Sequence, residues 1–362
     1  MRIRSTIIPY TLAFKFAAGT SRGVLREKNT WFWVVEDLDS GLRGIGECGP
    51  LKGLSVDDRP DFGEVLEGLA ERLAPELNRL CGSCQVAGFV REMVPDDLPS
   101  ARFGLETALL DIFNGGKRTV LDSPFVRGER SVPINGLVWM GDEAFMSEQI
   151  ERKITEGYTC VKMKIGAIDF DKELALLRSI RKRFGEEEIT LRVDANGAFG
   201  ERDVFEKLEK LGELALHSIE QPVMAGQYEL MRKVCDLSPV DVALDEELIG
   251  VNGIERAELL DRLNPQYIIL KPTLVGGLAD SGDWISLAES RGIGWWMTSA
   301  LESNVGLNAI GQYTDFLEVD MPQGLGTGQL YHNNIGSPLR IKRGELWYGD
   351  ESEWKLETLI EG

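Results

Sequence analysis

The chain has 362 residues, with 59 acidic side chains against 40 basic ones, a net charge of −19 and 43% hydrophobic residues. That apolar share excludes a disordered or fibrous chain, and the length accommodates roughly two or three domains, or one large barrel with an appendage. The acidic balance excludes the phosphate-neutralising surface of a nucleic-acid binder and disfavours anionic lipid, and no apolar run approaches the ~18 residues of a membrane span.

Met1-Arg2-Ile3-Arg4 and the apolar stretch to Phe16 mimic a secretory leader. Pro9 and Lys15 interrupt the stretch, however, and Leu12, Phe14 and Phe16 alternate, which predicts a strand. Trp31-Phe32-Trp33-Val34-Val35 is a second strand, and 41–49 reads as a turn with a short strand. Helical spacing follows at 62–80 (Val65, Leu66, Leu69, Leu73) and at 100–113 (Phe103, Leu105, Ala108, Leu109, Ile112). Residues 1–128 are therefore predicted to be an α+β domain.

From Val132 the texture changes, and β-rich runs alternate with amphipathic helical segments. Strands are predicted at 134–139, 160–165, 189–194, 217–220, 242–245, 267–271, 294–299 and 316–319. Helices are predicted at 171–184, 204–211, 228–236, 253–263 and 277–291. Eight strands in this rhythm predict a closed parallel barrel over 129–325. The tail, 326–362, opens rich in Gly and Asn, returns to a strand pattern at 339–347 and is predicted to pack back on the first domain. The five cysteines (Cys48, Cys81, Cys84, Cys160, Cys235) are odd in number and scattered, which predicts free thiols and a cytoplasmic setting. Cys81-Gly82-Ser83-Cys84 lacks the second pair or nearby histidine of a zinc site. With only His217 and His332 available, a three-His metal site is excluded and the general base is a carboxylate or a lysine. His217 sits in an apolar strand pattern and is predicted to be packed.

Five ionisable residues end five successive predicted strands: Lys164, Asp194, Glu220, Asp245 and Lys271, separated by 30, 26, 25 and 26 residues. A (β/α)8 barrel repeats about every 30 residues and carries its active site at the C-terminal strand ends. Alternation points all five inward: Val161, Met163 and Ile165 take one face and Lys162 and Lys164 the other, while Ile189, Leu191 and Val193 leave Arg192 and Asp194 inside. Three carboxylates without His or Cys suit an oxygen-seeking divalent cation, Mg²⁺ with Mn²⁺ as a substitute. A lysine is a base only when neutral, and Lys162 and the cation both favour that form of Lys164. The chemistry this suits is removal of a proton α to a carboxylate, with Lys271 and the metal holding the developing charge. Taken singly, Lys162-Met163-Lys164 is a salt-bridged strand, Asp194-Ala195-Asn196 a turn and Asp245-Glu246-Glu247 a helix cap. Five in register are not explained that way.

These motifs, with Ile219-Glu220-Gln221-Pro222 and Leu270-Lys271-Pro272, resemble the signatures of the enolase superfamily, muconate lactonizing enzyme subgroup. Gly46-Glu47-Cys48-Gly49-Pro50-Leu51 and Gly53-Leu54-Ser55 resemble the loop that the family's cap drapes over its site, and Phe103-Gly104-Leu105-Glu106 its cap helix. The fold implied is α/β, a modified (β/α)7β TIM-type barrel with an α+β capping domain. Ser299-Ala300-Leu301-Glu302-Ser303 and Gly324-Leu325-Gly326-Thr327-Gly328-Gln329-Leu330 resemble the o-succinylbenzoate synthase family within that subgroup. The resemblance implies a small-molecule carboxylate substrate, dehydrated in menaquinone synthesis. It further implies Lys164 as base and then proton donor, beside Lys162, and Mg²⁺ on Asp194, Glu220 and Asp245. Lys271 would support the charge from the opposite face, and Ser299, Ser303 and Asn196 would contact the substrate. The loop from Ala17 to Val24 would close over it, with Gly19 and Gly23 permitting the motion. Two lysines also serve a dipeptide epimerase or an N-acylamino acid racemase. Glu318-Val319-Asp320 approximates the Asp-x-Asp by which dipeptide epimerases bind an ammonium group, whereas Gly326-Thr327-Gly328 suits an anionic arm. A non-catalytic binding barrel has little reason to align five charges, and nothing in the sequence fixes an oligomeric state.

Overall fold

The structure, a computed structural model, describes residues 2–20, 23–349 and 353–360. The alternating N-terminal segment forms a long antiparallel hairpin, β1 (Ile3–Thr20) and β2 (Gly23–Asp37), with β3 (Arg43–Cys48) on the far edge of β2. Trp33 is fully buried, with Ile7 opposite it on one side and Gly46 on the other. The hairpin corrects the expected loop at 17–24: after an irregularity between Ala13 and Ala18 the ladder resumes, pairing residues 18–20 with 23–25, and positions 21 and 22 at its tip lie outside the described residues.

Three helices, α1 (Phe62–Leu77), α2 (Val86–Met93) and α3 (Pro99–Phe113), cover this sheet around Trp33, Phe62, Leu66, Leu73 and Leu105. Proline in the first turn suits the start of α3, where its missing N–H costs nothing. α3 can lie flat on β3 because glycines remove the side chains between them. A Cβ on Gly46 would sit 1.8 Å from the Gly104 carbonyl oxygen, and one on Gly44 2.0 Å from that of Ala108.

After β4 (Val132–Pro133) come seven parallel strands in sequence order: β5 (Gly136–Val138), β6 (Cys160–Lys164), β7 (Thr190–Asp194), β8 (Ser218–Glu220), β9 (Val242–Leu244), β10 (Tyr267–Leu270) and β11 (Gly294–Met297). Between and after them run α4 (Glu143–Thr155), α5 (Phe170–Arg183), α6 (Val204–Gly212), α7 (Tyr228–Leu237), α8 (Glu255–Leu263), α9 (Pro272–Val275), α10 (Leu278–Glu289) and α11 (Asn304–Phe316). The strands are short and almost wholly buried, as expected where helices cover a parallel sheet.

The predicted strand at 316–319 is not a strand. Phe316 is the last residue of α11, and the chain then turns with Glu318 at φ 55°. Asp315 fixes that last helical turn by accepting from the Phe125 amide at 2.8 Å. The ring closes a few residues later, where Gln323 bridges to Ile134 and Gly324 to Thr298, both in parallel sense. The Asn135 amide donates to the Gln323 carbonyl at 2.9 Å and the Gly324 amide to that of Met297 at 2.8 Å, so the eighth stave is a brief bridge.

The tail forms β12 (Leu339–Lys342) and β13 (Glu345–Tyr348), which pairs antiparallel with β4, and the last described element is α12 (Glu357–Ile360). Its Ile335 and Leu359 join Phe32, Val34 and Ile45 of the first sheet and Val305 of α11 in one apolar cluster. Tail positions 350–352, 361 and 362 lie outside the described residues. All five cysteines are free, and among the described residues no helix is long and apolar enough to cross a membrane.

Candidate active site

Parallel register places the ionisable residues side by side: Lys164 lies opposite Asp194, and Asp194 opposite Glu220. Asp245 and Lys271 follow directly after β9 and β10, so all five stand at C-terminal strand ends. Lys162 Nζ donates to Asp194 Oδ2 at 3.1 Å and to Glu220 Oε2 at 2.6 Å. Lys164 Nζ donates to the same Asp194 oxygen at 2.8 Å and to Asn196 Oδ1 at 2.7 Å. Lys271 Nζ donates to Asp245 Oδ2. Three ammonium groups thus face three carboxylates, all buried except the partly exposed Lys271, which is the pairing that buried charge requires.

The fields are strong. Burial lowers the proton affinity of Lys162, but Asp194 and Glu220 overcome that and raise it well above the ordinary lysine value. Burial would raise Asp194; Lys162 and Lys164 instead hold it far below the carboxylate range. Burial, then the neighbouring Asp194 charge, push Glu220 up. Asp245 is raised by burial and pulled down further by Lys271.

Backbone geometry at the strand ends fixes these side chains. Asn196 and Gln221 adopt left-handed conformations, φ 44° and 40°, sparsely populated for such residues and found where tertiary structure over-determines them. Gln221 Oε1 accepts from the Asp245 amide at 3.1 Å, and its Nε2 donates to Glu247 at 2.9 Å, tying the end of β8 to the end of β9. Asn196 Nδ2 donates to Glu246 at 3.0 Å.

Among the described residues, no three His, Cys, Asp or Glu side chains are set around a common point as ready metal ligands; the carboxylates turn toward the ammonium groups. The donor set nevertheless fits a hard divalent cation. It offers carboxylates on three adjacent strands, and buried Glu220 Oε1 has no hydrogen-bond donor.

The site opens into a cavity of about 1050 Å³, which reaches from Lys164 and Lys271 past Trp139 to the hairpin residues Phe16 and Leu25. Ser299 lines it, but its hydroxyl is engaged: it donates to Glu302 and accepts from Thr327 Oγ1 at 2.7 Å and the Leu301 amide at 3.0 Å. Ser303 does not line it. Its hydroxyl caps α11, accepting from the Val305 amide at 3.1 Å, and donates to Glu47. Glu47, fully buried, also accepts from the Ser303 amide at 2.9 Å and the Gly306 amide at 3.0 Å. It joins β3 to the start of α11 across the chain, and its only sequence signal is a carboxylate inside the Gly46–Pro50 motif. Glu302 is likewise buried, accepting from Thr273 Oγ1 just beyond Lys271 as well as from Ser299. Glu318 and Asp320 are exposed and line no part of the cavity. His217 packs 5.0 Å from the Tyr267 ring and 6.1 Å from that of Trp296; burial, then Arg192, lower its pKa to about 4.

Residues 146–351 match the family described as enolase C-terminal domain-like. The o-succinylbenzoate synthase of Desulfotalea psychrophila is 49% identical over 355 residues, covering 92% of this chain and 96% of that protein. The chain belongs to the enolase superfamily. The crystal structure of MenC from D. psychrophila superposes with a TM-score of 0.85 at 43% identity, covering 96% of this chain and all of that one. A substrate-liganded L-Ala-D/L-Glu epimerase from Bacillus subtilis superposes with a TM-score of 0.80 at 19% identity over 98% of both chains, a likeness of fold alone. The α/β class, with a parallel barrel sheet and a separate cap of antiparallel strands, is that of the superfamily, whose members use a divalent metal, typically Mg²⁺.

Proposed function

We propose that this cavity carries out the o-succinylbenzoate synthase reaction: dehydration of 2-succinyl-6-hydroxy-2,4-cyclohexadiene-1-carboxylate to o-succinylbenzoate, a hydro-lyase step of menaquinone synthesis. The observation that carries this reading is the buried row Lys164–Asp194–Glu220 with Lys271 beyond it, in a chain 49% identical along nearly its whole length to a synthase of that name. Lys164 Nζ, oriented by Asp194 and Asn196, takes in its neutral form the proton on the ring carbon that bears the carboxylate. The freed electron pair moves into that carboxylate as an enediolate. It then returns to form the ring double bond as the C–O bond breaks. The Lys164 ammonium gives its proton to the departing hydroxyl, so water leaves from the face that lost the proton.

Lys271 stays protonated at the opposite side and supports the developing charge, and Lys162 keeps Asp194 and Glu220 aligned. Asp194, Glu220 and Asp245 are the residues that would hold Mg²⁺, or Mn²⁺, which supplies Lewis-acid stabilisation when bound. Ser299 serves as a wall shaped by Glu302 and Thr327, and Asn196 as an orienting group. Residues 1–128 act as the cap, 129–325 as the catalytic barrel and 326–362 as a tail returning to the cap, a division supported by the cluster of Phe32, Val305 and Leu359. The free thiols support a cytoplasmic setting. The exposure of Glu318 and Asp320 weighs against the epimerase alternative, because no acidic pair there can hold an ammonium group. Supplying the cyclohexadiene carboxylate with Mg²⁺ tests the reading: the diene absorbance is expected to disappear with turnover. Deuterium exchange into dipeptides or N-acylamino acids without any dehydration would overturn it.

A further inference from the structure

The molecule carries a net charge of −19, yet its large cavity is edged with cations. Three of its lysines are committed to the carboxylates of the strand ends, and Lys153 to Glu156 at 2.9 Å. Three more cations line the cavity without such a commitment: Lys15 on β1, Lys52 on the loop after β3 and Arg152 on α4. All are exposed, and none has an ion-pair partner among the described residues. Glu151, the acid beside Arg152, is taken by Arg183. These cations come from three separate elements, Lys15 from the hairpin and Lys52 from the cap loop on the cap side and Arg152 from the last turns of a barrel helix, so they line different stretches of the cavity wall. Between them the wall is apolar, with Phe16, Leu25 and Trp139.

Unpaired cations around a low-dielectric cleft focus the field into it and raise the local concentration of anions, against the repulsion of an otherwise acidic surface. The dehydration needs only one substrate carboxylate at the strand ends. Its substrate carries a second, on the succinyl arm.

We propose that Lys15, Lys52 and Arg152 form a cationic collar that recruits dianionic substrates and selects for the second carboxylate, disfavouring zwitterions such as dipeptides. The proposal rests on the synthase reading for the identity of the dianion. The collar makes the enzyme's preference a matter of charge along the cavity wall as well as shape at the reacting centre.

The test compares the triple variant K15Q/K52Q/R152Q with K117Q/K182Q/K233Q, which loses the same charge at exposed lysines that do not line the cavity. Two quantities are read for each: kcat/KM for the cyclohexadiene substrate, and the affinity for o-succinylbenzoate by calorimetry. Both are measured at about 20 mM and about 500 mM salt, between which the screening length falls from roughly 20 Å to roughly 4 Å. The collar variant is expected to lose about tenfold in kcat/KM and in product affinity at low salt, through KM with kcat held. The loss should vanish at high salt and be absent for the product whose succinyl carboxylate is an amide. The control triple is expected to match wild type. Equal behaviour of the two triples, or a loss that persists at high salt or with the amide, overturns the collar. A wild-type protein that dehydrates nothing overturns the synthase reading instead, and product binding still reads the collar.

Discussion

Lys164 and Lys271 differ in what surrounds them, and the proposed mechanism uses that difference to give two identical side chains different tasks. Lys164 is held by one carboxylate, Asp194, which it shares with Lys162, and by the neutral Asn196. Lys271 faces Asp245; burial works against its charge, but Asp245 and Glu220 overcome that and raise its pKa. A group so held keeps its proton, as the proposed supporting role requires. Lys164→Ala is therefore expected to lower kcat by about 10⁴-fold, the upper range for a general base, with circular dichroism and melting temperature close to wild type. Lys271→Ala is expected to cost about 10²- to 10³-fold, as for one electrostatic donor. Steady-state assays under saturating Mg²⁺ check both. A Lys164→Ala enzyme retaining a tenth of wild-type turnover, or a Lys271→Ala enzyme unchanged, would refute the assignment.

Among the elements, the contact between α3 and α10 links the cap to the turn that follows Lys271. Glu106 on α3 accepts from the Leu278 amide at 2.6 Å and the Ala279 amide at 3.0 Å, at the N-terminus of α10. Burial pushes this carboxyl up to about 7, against those two amides; Asp280 raises it further and Arg91 opposes. A carboxyl whose folded pKa exceeds its unfolded value stabilises fully below about 4.5 and loses that contribution as pH rises through about 7. Asp57 and Asp111, raised by burial to about 6, act in the same sense. Stability to urea is expected to fall between pH 5 and pH 8, and Glu106→Gln to remove about 3 kcal/mol of that decline. An undiminished slope in the variant would show that Glu106 ionises at its ordinary pH.

The same elements mark what the sequence could disclose. Strand ends carrying charge recur at the barrel repeat and alternate against apolar neighbours, so Lys164, Asp194, Glu220, Asp245 and Lys271 were legible from spacing alone. The final stave was not, because Phe316 and Leu317 look β-prone while the actual closure is a bridge at Gln323 and Gly324, too short to have a period. Ser303 next to Glu302 looked like a second substrate hydroxyl. Its partner is Glu47, which lies 256 positions earlier in the chain, and no local pattern reports a contact of that range. The hairpin extension was hidden by glycines at 19 and 23, which favour a loop when neighbouring strands are unseen.

On the scale of the whole molecule, the proposed metal site would couple metal binding to folding, because Asp194, Glu220 and Asp245 come together only when three barrel strands assemble. A cation that binds the native chain alone stabilises by RT ln(1 + [L]/Kd), about 2.7 kcal/mol at a hundredfold excess over Kd. With an unfolding entropy of about 2 cal/mol/K per residue, a chain of this length converts that to a rise of roughly 4 °C in melting temperature. An acidic protein also collects Mg²⁺ diffusely over its surface, so the shift in wild type alone does not locate the ion. The discriminating comparison is with Asp194→Asn and Asp245→Asn, in which the local site is weakened and the surface charge is nearly the same. Wild type is expected to rise by roughly 4 °C in Mg²⁺ relative to NaCl of equal ionic strength, and the two variants to stay within about 1 °C of their own NaCl value. Equal shifts in all three would place the ion on the surface rather than among the strand ends, and would leave the lysine–carboxylate row as the site's complete charge set. This measurement needs no turnover, so it separates the metal site from the identity of the substrate.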